Sequence, residues 1–414
     1  MFFLHIFIVY IVAILQPPPQ NDSWLQYGGV GRNFVGSSSV GKGELSIVWR
    51  QPLGLGTSGI VSDGKLFYTM SLRLRDGSKV EGTEIVSARE VQSGKIVWEK
   101  ATTVKMLKGQ ESFSGDPIRP QATPALHRGS LCTLGYTGLL CGWEASSGKL
   151  LWQYDLVKEL GAKPVQFGFS SSPLIYQDDF VVHVGGSQAV LIRVDARNGK
   201  ILWKSEPGEP SYASPIVAML DGNQHLVQVT RDAILGINPD TGKTLWQYAL
   251  PEAGLTNVPT PLLINQNQLL ISGQGVKGTR LLQLTKTSEQ WVIKEVWNNK
   301  KVTFFYCNWQ IAGNAVYGNA NKILLCLNLT DGTELWRERG FAETNLLKMG
   351  AEHFLLDGNG KLTKCRLSTT GVEKMASQII LSMRCWTAPT PVGDLILMRD
   401  QEEVVAVRWF ESKK

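Results

Sequence analysis

The stretch "RVDARNGKILW", residues 193–203, returns along the chain as "AREVQSGKIVW" (88–98), "GWEASSGKLLW" (142–152), "GINPDTGKTLW" (236–246) and "CLNLTDGTELW" (326–336). In each copy a few residues rich in Asp, Asn, Ser and Thr lie ahead of a glycine. Such residues favour turns by bonding their own backbone, and the glycine supplies a positive φ at no steric cost. Short apolar runs flank the turn, as in "AVLIRVD" and "ILWKSE", so each copy predicts a hairpin with its tryptophan at a fixed place on the second strand. Burying an indole removes roughly 150–250 Å² from water, a gross gain of about 4–6 kcal/mol, enough to glue neighbouring sheets.

Spacing sets the architecture. From Trp49 in "ELSIVW" the tryptophans follow at intervals of 49, 54, 51 and 43 residues to Trp246, then 51 to Trp297 and 39 to Trp336. That period suits four short strands and their turns. One unit shows all four, in "SSSPLIYQ", "DFVVHVGG", "AVLIRVDA" and "KILWKSE". The unit ending at Trp297 and the one around "LTKCRLSTTGVEKM" lack the phrase but keep the length and the strand-like runs. Helical period is nearly absent, "LVKELGAK" being the best candidate. Radial repetition of four-stranded sheets is a β-propeller. The chain stops after "EEVVAVRW", a third strand without its fourth, while "ELSIVWRQPL" is a fourth strand without its first three. Pairing them closes the ring, so the expected fold is all-β: an eight-bladed propeller of four-stranded antiparallel blades, closed by the C-terminal strand against an N-terminal one.

The phrase A-x-D-x-x-T-G-x-x-x-W, best matched by residues 193–203 and 236–246, resembles the tryptophan-docking repeat of the PQQ-like propellers. The runs "TPAL", "SSPLI", "ASPIV", "TPLLI" and "APTPV" at successive first strands are similar too, and the resemblance covers roughly residues 24 to 410. That superfamily holds the quinoprotein alcohol dehydrogenases and the BamB-like assembly proteins of the bacterial outer membrane. The enzymes would imply a quinone over a tryptophan floor, a ring of two adjacent cysteines, calcium held by carboxylates and an amide, and an aspartate base. This chain has no Cys-Cys pair; its six cysteines are Cys132, Cys141, Cys307, Cys326, Cys365 and Cys385.

Other chemistry finds less support. "GLGTSG" (54–59) fits a dinucleotide fingerprint but leads into the strand "GIVSDGKLFY" and not into a helix, so it is expected to be a loop between blades. His127, His183, His225 and His353 lack metal-ligand spacing and are expected on the surface or in loops. Glu144, Asp195 and Asp240 are expected to cap turns. No arginine cluster interleaves with aromatics as nucleic-acid binding needs, and the net charge of +6 is spread along the chain. No catalytic, cofactor-binding or metal-ligating residue is assigned, and no cofactor is expected.

Binding features are sought where repeats depart from the pattern. Phe304, Phe305, Tyr306 and Trp309 fall where a loop leads into a first strand; alternation expects Phe304 and Tyr306 on one side, Phe305 and Trp309 on the other. Segments 71–82 and 102–121 are expected to be the longest non-strand excursions. A turn centred between Tyr136 and Thr137 would set Cys132 opposite Cys141, which leaves open a disulfide or two buried thiols.

Residues 1–20, "MFFLHIFIVYIVAILQPPPQ", are expected to be a signal peptide or short anchor, and 21–414 a single propeller. No cysteine follows the apolar run closely, so a lipid-anchored start is not expected. The expected function is an exported, non-enzymatic binding or assembly scaffold of the bacterial cell envelope. It would have protein partners, bind no nucleic acid, and touch a membrane only through the N-terminal segment if that is retained. The alternatives are a quinoprotein-like oxidoreductase and a carbohydrate-binding propeller.

Overall fold

A computed structural model describes residues 23–36, 44–110, 116–250, 252, 257–288, 290–320 and 322–410. The segment expected to be a signal peptide or anchor lies outside these residues. Seven four-stranded antiparallel blades follow in chain order over residues 61–105, 125–155, 174–204, 216–249, 262–299, 309–339 and 345–379. Blade 8 combines Thr390–Val392, Leu395–Arg399 and Glu403–Phe410 with Glu44–Pro52 as its outermost strand, paired from Glu44↔Phe410 to Pro52↔Glu403. The ring therefore closes through the two ends of the chain, as its sequence implies. The one helix among the described residues is Leu156–Leu160, within "LVKELGAK", capped by Asp155, whose side chain accepts from the backbone of Val157 and Lys158.

The repeated phrase works between blades. The indole N–H on a fourth strand donates to a carbonyl in the turn of the next blade: Trp49 to Val91, Trp98 to Ala145, Trp152 to Ala196, Trp203 to Pro239, Trp297 to Leu329 and Trp336 to Ser368, at 2.8–3.1 Å. Three residues beyond each acceptor stands the glycine. At Gly199 the φ is +73°, and a Cβ would lie 2.4 Å from the Trp152 ring. Glycine is thus needed twice there, to turn the chain and to bed the indole of the preceding blade.

The pattern fails at two interfaces, between blades 4 and 5 and between blades 7 and 8. Blade 5 lacks the phrase, and Trp246 turns back within its own blade to donate to His225 Nδ1 at 3.1 Å, with Trp291 edge-on to the same imidazole. Blade 7 has no tryptophan on its fourth strand, Gly371–Ile379. In all eight blades the third and fourth strands slip register at the residue before the tryptophan, or at Met375 in blade 7. The slipped residue is an exposed aliphatic side chain or methionine each time, 36–48 % accessible. A bulge here disrupts the free outer edge of each sheet, which would otherwise template pairing with other chains.

Several local expectations are corrected. Cys132 pairs with Gly142 and Thr133 with Cys141, so the two cysteines occupy adjacent pairs and point to opposite faces of the blade. The connection is odd in length: Gly135 N–H donates to Leu139 and Gly138 N–H to Gly135, which shifts the register by one from a two-residue turn. All six cysteines are free and buried. Half of segment 71–82 is strand, since Leu66–Leu74 and Glu81–Glu90 form one long hairpin, and residues 102–105 complete Ile96–Lys105, whereas 106–110 and 116–121 lie outside strands as expected. Asp195 does cap its turn, accepting from the backbone of Arg197 and Asn198, and the Glu144 carboxylate accepts from the Ser147 hydroxyl. At the corresponding turn of blade 4 the cap is Asn238, while Asp240 faces Arg193.

His183, His225 and His353 are buried in strands, against the surface or loop placement expected; only His127 is near solvent, beside Asp178. His183 accepts from the Ser211 N–H through Nε2 and reaches the Val190 carbonyl through Nδ1. Burial holds all three down at about 4, against an ordinary 6.5. Each therefore contributes its full share of stability above pH 6.5 and loses it as pH falls toward 4. Glu84, buried and accepting from Tyr136 N–H, is pushed up to about 7 and acts in the opposite sense, its share being lost as pH rises from 4.5 through 7. Between pH 6.5 and 4.5 the three histidines outweigh the one glutamate. Denaturant unfolding is expected to show stability falling on acidification, by up to about 1.4 kcal/mol per pH unit for each unbalanced proton. A flat profile over that range would contradict the burial of these imidazoles.

Candidate functional site

The loops leading into the innermost strands converge on the propeller axis, and their Ser-Pro and Thr-Pro pairs have a common task. Gly59 N–H donates to Thr123 Oγ1, Thr123 N–H to Ser172 Oγ, and Ser172 N–H to Ser214 Oγ, at 2.9–3.2 Å. Each hydroxyl thus satisfies the backbone of the blade before it. The proline that follows fixes φ and removes a donor that would compete.

Residues 24–36 cross the axis below these loops. Trp24 exchanges two backbone hydrogen bonds with Ser62, Leu25 accepts from Leu126, and the Gln26 side chain accepts from Ile175 N–H. Arg32, fully buried, donates to the carbonyls of Ser172 and Pro173 and lies 5.5 Å from the Tyr27 ring. Burial pulls it down to about 9, still protonated at neutral pH. Phe34 accepts from Gln310 and Lys348, and Val35–Gly36 pairs in parallel with Lys348 and Met349 of blade 7. One short segment thus ties blades 1, 2, 3, 6 and 7 and floors the axial channel.

Above the floor lies a funnel of about 650 Å³. Trp24, Tyr27 and Phe34 form its base; its wall carries Phe167, Phe305, Tyr306, Trp386, Arg119, Arg384, Asp116 and Glu343. The Trp386 indole donates to Glu343 at 2.6 Å; Arg384 sits 3.7 Å and Arg119 5.3 Å from its ring, and Tyr306 is stacked beside it at 6.1 Å. Phe305 packs edge-on to Tyr306. Phe304 and Trp309 instead fill the core, Trp309 donating to the Thr260 carbonyl. The expected alternation fails because residues 302–308 are not strand. Of the sequence candidates, Phe305 and Tyr306 reach the funnel, as do Asp116, Arg119 and Gln121 of segment 102–121 and Thr57 and Gly59 of "GLGTSG", which is a loop between blades 8 and 1 as expected. Segment 102–121 holds Arg119, but its grouping with Trp386 and Arg384 was missed; the members stand far apart in sequence, and the signal at the other end was Trp386 just ahead of "APTPV".

The funnel does not fit a quinone and calcium. Cys307 at its wall has no adjacent cysteine, and Asp116 and Glu343 each face a guanidinium. The face of Trp24 is covered by Gly29, where a Cβ would lie 2.8 Å from the ring. No group of three or more His, Cys, Asp or Glu among the described residues could hold a metal ion. A second hollow, about 730 Å³, opens between blades 4 and 5 where Trp246 fails to dock, lined by His225, Trp291 and Lys286.

A family model described as outer membrane protein assembly factor BamB matches residues 82–338. An outer membrane protein assembly factor BamB from Yersinia pestis is 22% identical over 293 residues, 67% of this chain and 71% of that protein. A quinohemoprotein alcohol dehydrogenase, ADH IIB from Pseudomonas putida, is 26% identical over 138 residues, 31% of this chain and 20% of that protein. Among solved structures, BamB from Moraxella catarrhalis superimposes with a TM-score of 0.55 at 15% identity, covering 88% of this chain and 100% of that one. Quinohemoprotein alcohol dehydrogenase from Comamonas testosteroni gives 0.64 at 13% identity, over 95% of this chain and 82% of that one. At such identities these structures share the fold, and the fold hosts both kinds of protein.

Proposed function

Since the chain belongs to the family described as outer membrane protein assembly factor BamB, we propose that it is an exported, non-enzymatic scaffold of the bacterial cell envelope that binds protein partners. The observation that carries this reading is the floored funnel, whose exposed rings and guanidiniums form a contact surface at the axis. Aromatic and arginine side chains are the usual anchors of protein interfaces. Residues 1–20 would direct export or serve as an anchor.

The rival reading, a quinoprotein oxidoreductase, is favoured by the likeness to alcohol dehydrogenases in both sequence and fold. It is tested by mixing purified protein with PQQ and calcium in a dye-reduction assay with primary alcohols. No turnover above the protein-free blank is expected. Sustained, enzyme-dependent dye reduction would overturn the scaffold reading.

A further inference from the structure

Two guanidiniums line the funnel, Arg119 and Arg384, and each has one loosely placed carboxylate beside it. Arg119 meets Asp116, and Arg384 meets Glu343, each through a single contact of 3.5 Å, at the outer limit of a hydrogen bond. Beneath and beside the cavity, Arg32 and Arg399 are fully buried, and the acceptors of their guanidiniums are backbone carbonyls and the Thr69 hydroxyl. With Arg32 buried behind the base and bonded to carbonyls, three guanidiniums stand against two carboxylates, and a concave, partly desolvated site focuses that excess on its opening. Among the lining residues two buried side-chain atoms lack partners, Arg119 Nε and Gln166 Nε2, and both are donors. The site is therefore short of acceptors.

We infer that the funnel is the docking site for an acidic polypeptide segment of a partner protein, in which a carboxylate meets Arg384 and Arg119 and a flanking apolar side chain packs on Phe305 and Tyr306. This rests on the scaffold reading and names the chemistry of its partner. A carboxylate can take both guanidiniums as charge-assisted partners. Tyr306, 57 % exposed, offers an open ring for the apolar flank. A glycan suits the site less, because each sugar hydroxyl must donate as well as accept, and the unpartnered groups are donors.

The test uses the whole chain and three probes in titration calorimetry: acetyl-Gly-Phe-Glu-Phe-Gly-amide, the same peptide with Gln for Glu, and trigalacturonate. The Glu peptide is expected to bind at least about tenfold more tightly than the Gln peptide, the scale of a charge-assisted pair. Arg384→Gln and Arg119→Gln should each remove that preference. Melting curves check that the variants fold; Arg384 is half-exposed, so its replacement is the safer of the two. Equal binding of both peptides, no saturable binding at millimolar concentration, tighter binding of trigalacturonate, or an Arg384→Gln variant that keeps the preference would each overturn the inference. Those results leave the scaffold reading standing, whereas quinone-dependent turnover would remove the scaffold reading itself.

Discussion

Truncation after Gln401 is expected to unfold the ring as a whole. The lost strand, Glu403–Phe410, lies between Leu395–Arg399 and Glu44–Pro52, so its removal strips the latter of its pairing and leaves two open edges. It also removes Val404, Val405, Val407 and Trp409, all buried in the clusters that join blade 8 to its neighbours. At about 1.5–3 kcal/mol per aliphatic side chain the loss is several kcal/mol, comparable with the whole net stability of an ordinary domain. Aggregation on gel filtration, or a melting transition far below that of the intact chain, should follow. Truncation after Phe410 spares every described strand and serves as the control. If the longer truncation melted like the intact protein, the shared blade would have to be given up.

Replacing Arg399 by methionine should come next in severity. Its guanidinium is wholly buried and donates to the carbonyls of Met70 at 2.6 Å, Gly54 at 3.0 Å and Ser58 at 3.4 Å, to Thr69 Oγ1 at 3.1 Å, and through Nε to the Asp400 carbonyl at 3.3 Å. One side chain of blade 8 thus holds the "GLGTSG" loop against blade 1. Methionine fills similar space but leaves these acceptors facing an apolar group, at about 1–3 kcal/mol for each one orphaned. With two of the five left without another partner, a loss of about 2–6 kcal/mol in denaturant unfolding is expected. Lysine should not rescue it, because an ammonium cannot reach so many acceptors in the geometry of a planar fork. A methionine variant within about 0.5 kcal/mol of the parent would resemble an ordinary surface substitution and contradict the clasp.

What could be read from the sequence was what repeats. The turn–glycine–tryptophan phrase carried blade number and ring closure, because each copy performs the same local task against the next blade. The Ser-Pro and Thr-Pro pairs were visible, but their hydroxyl relay was not, since it joins residues some 40 to 65 positions apart. Segment 24–36 escaped notice because "WLQYGGVGRNFVG" has neither strand alternation nor a copy elsewhere, and its place is fixed by bonds to five blades. The cysteine register slipped by one on a single odd-length turn, and a one-residue shift reverses every side chain beyond it. The funnel suffered most, because Arg119, Tyr306 and Trp386 come from three different loops that only the closed ring brings together.

The most direct measurement places a photo-crosslinking amino acid at Tyr306, in the funnel, and separately at Leu202, on the outer edge of blade 3, and irradiates each chain in envelope extract of its source. A scaffold whose contact surface is the axial funnel gives a discrete protein adduct from position 306, identifiable by mass spectrometry and competed by unlabelled chain, and none from 202. Adducts from 202 alone, or none from either position while the chain stays folded, would contradict it.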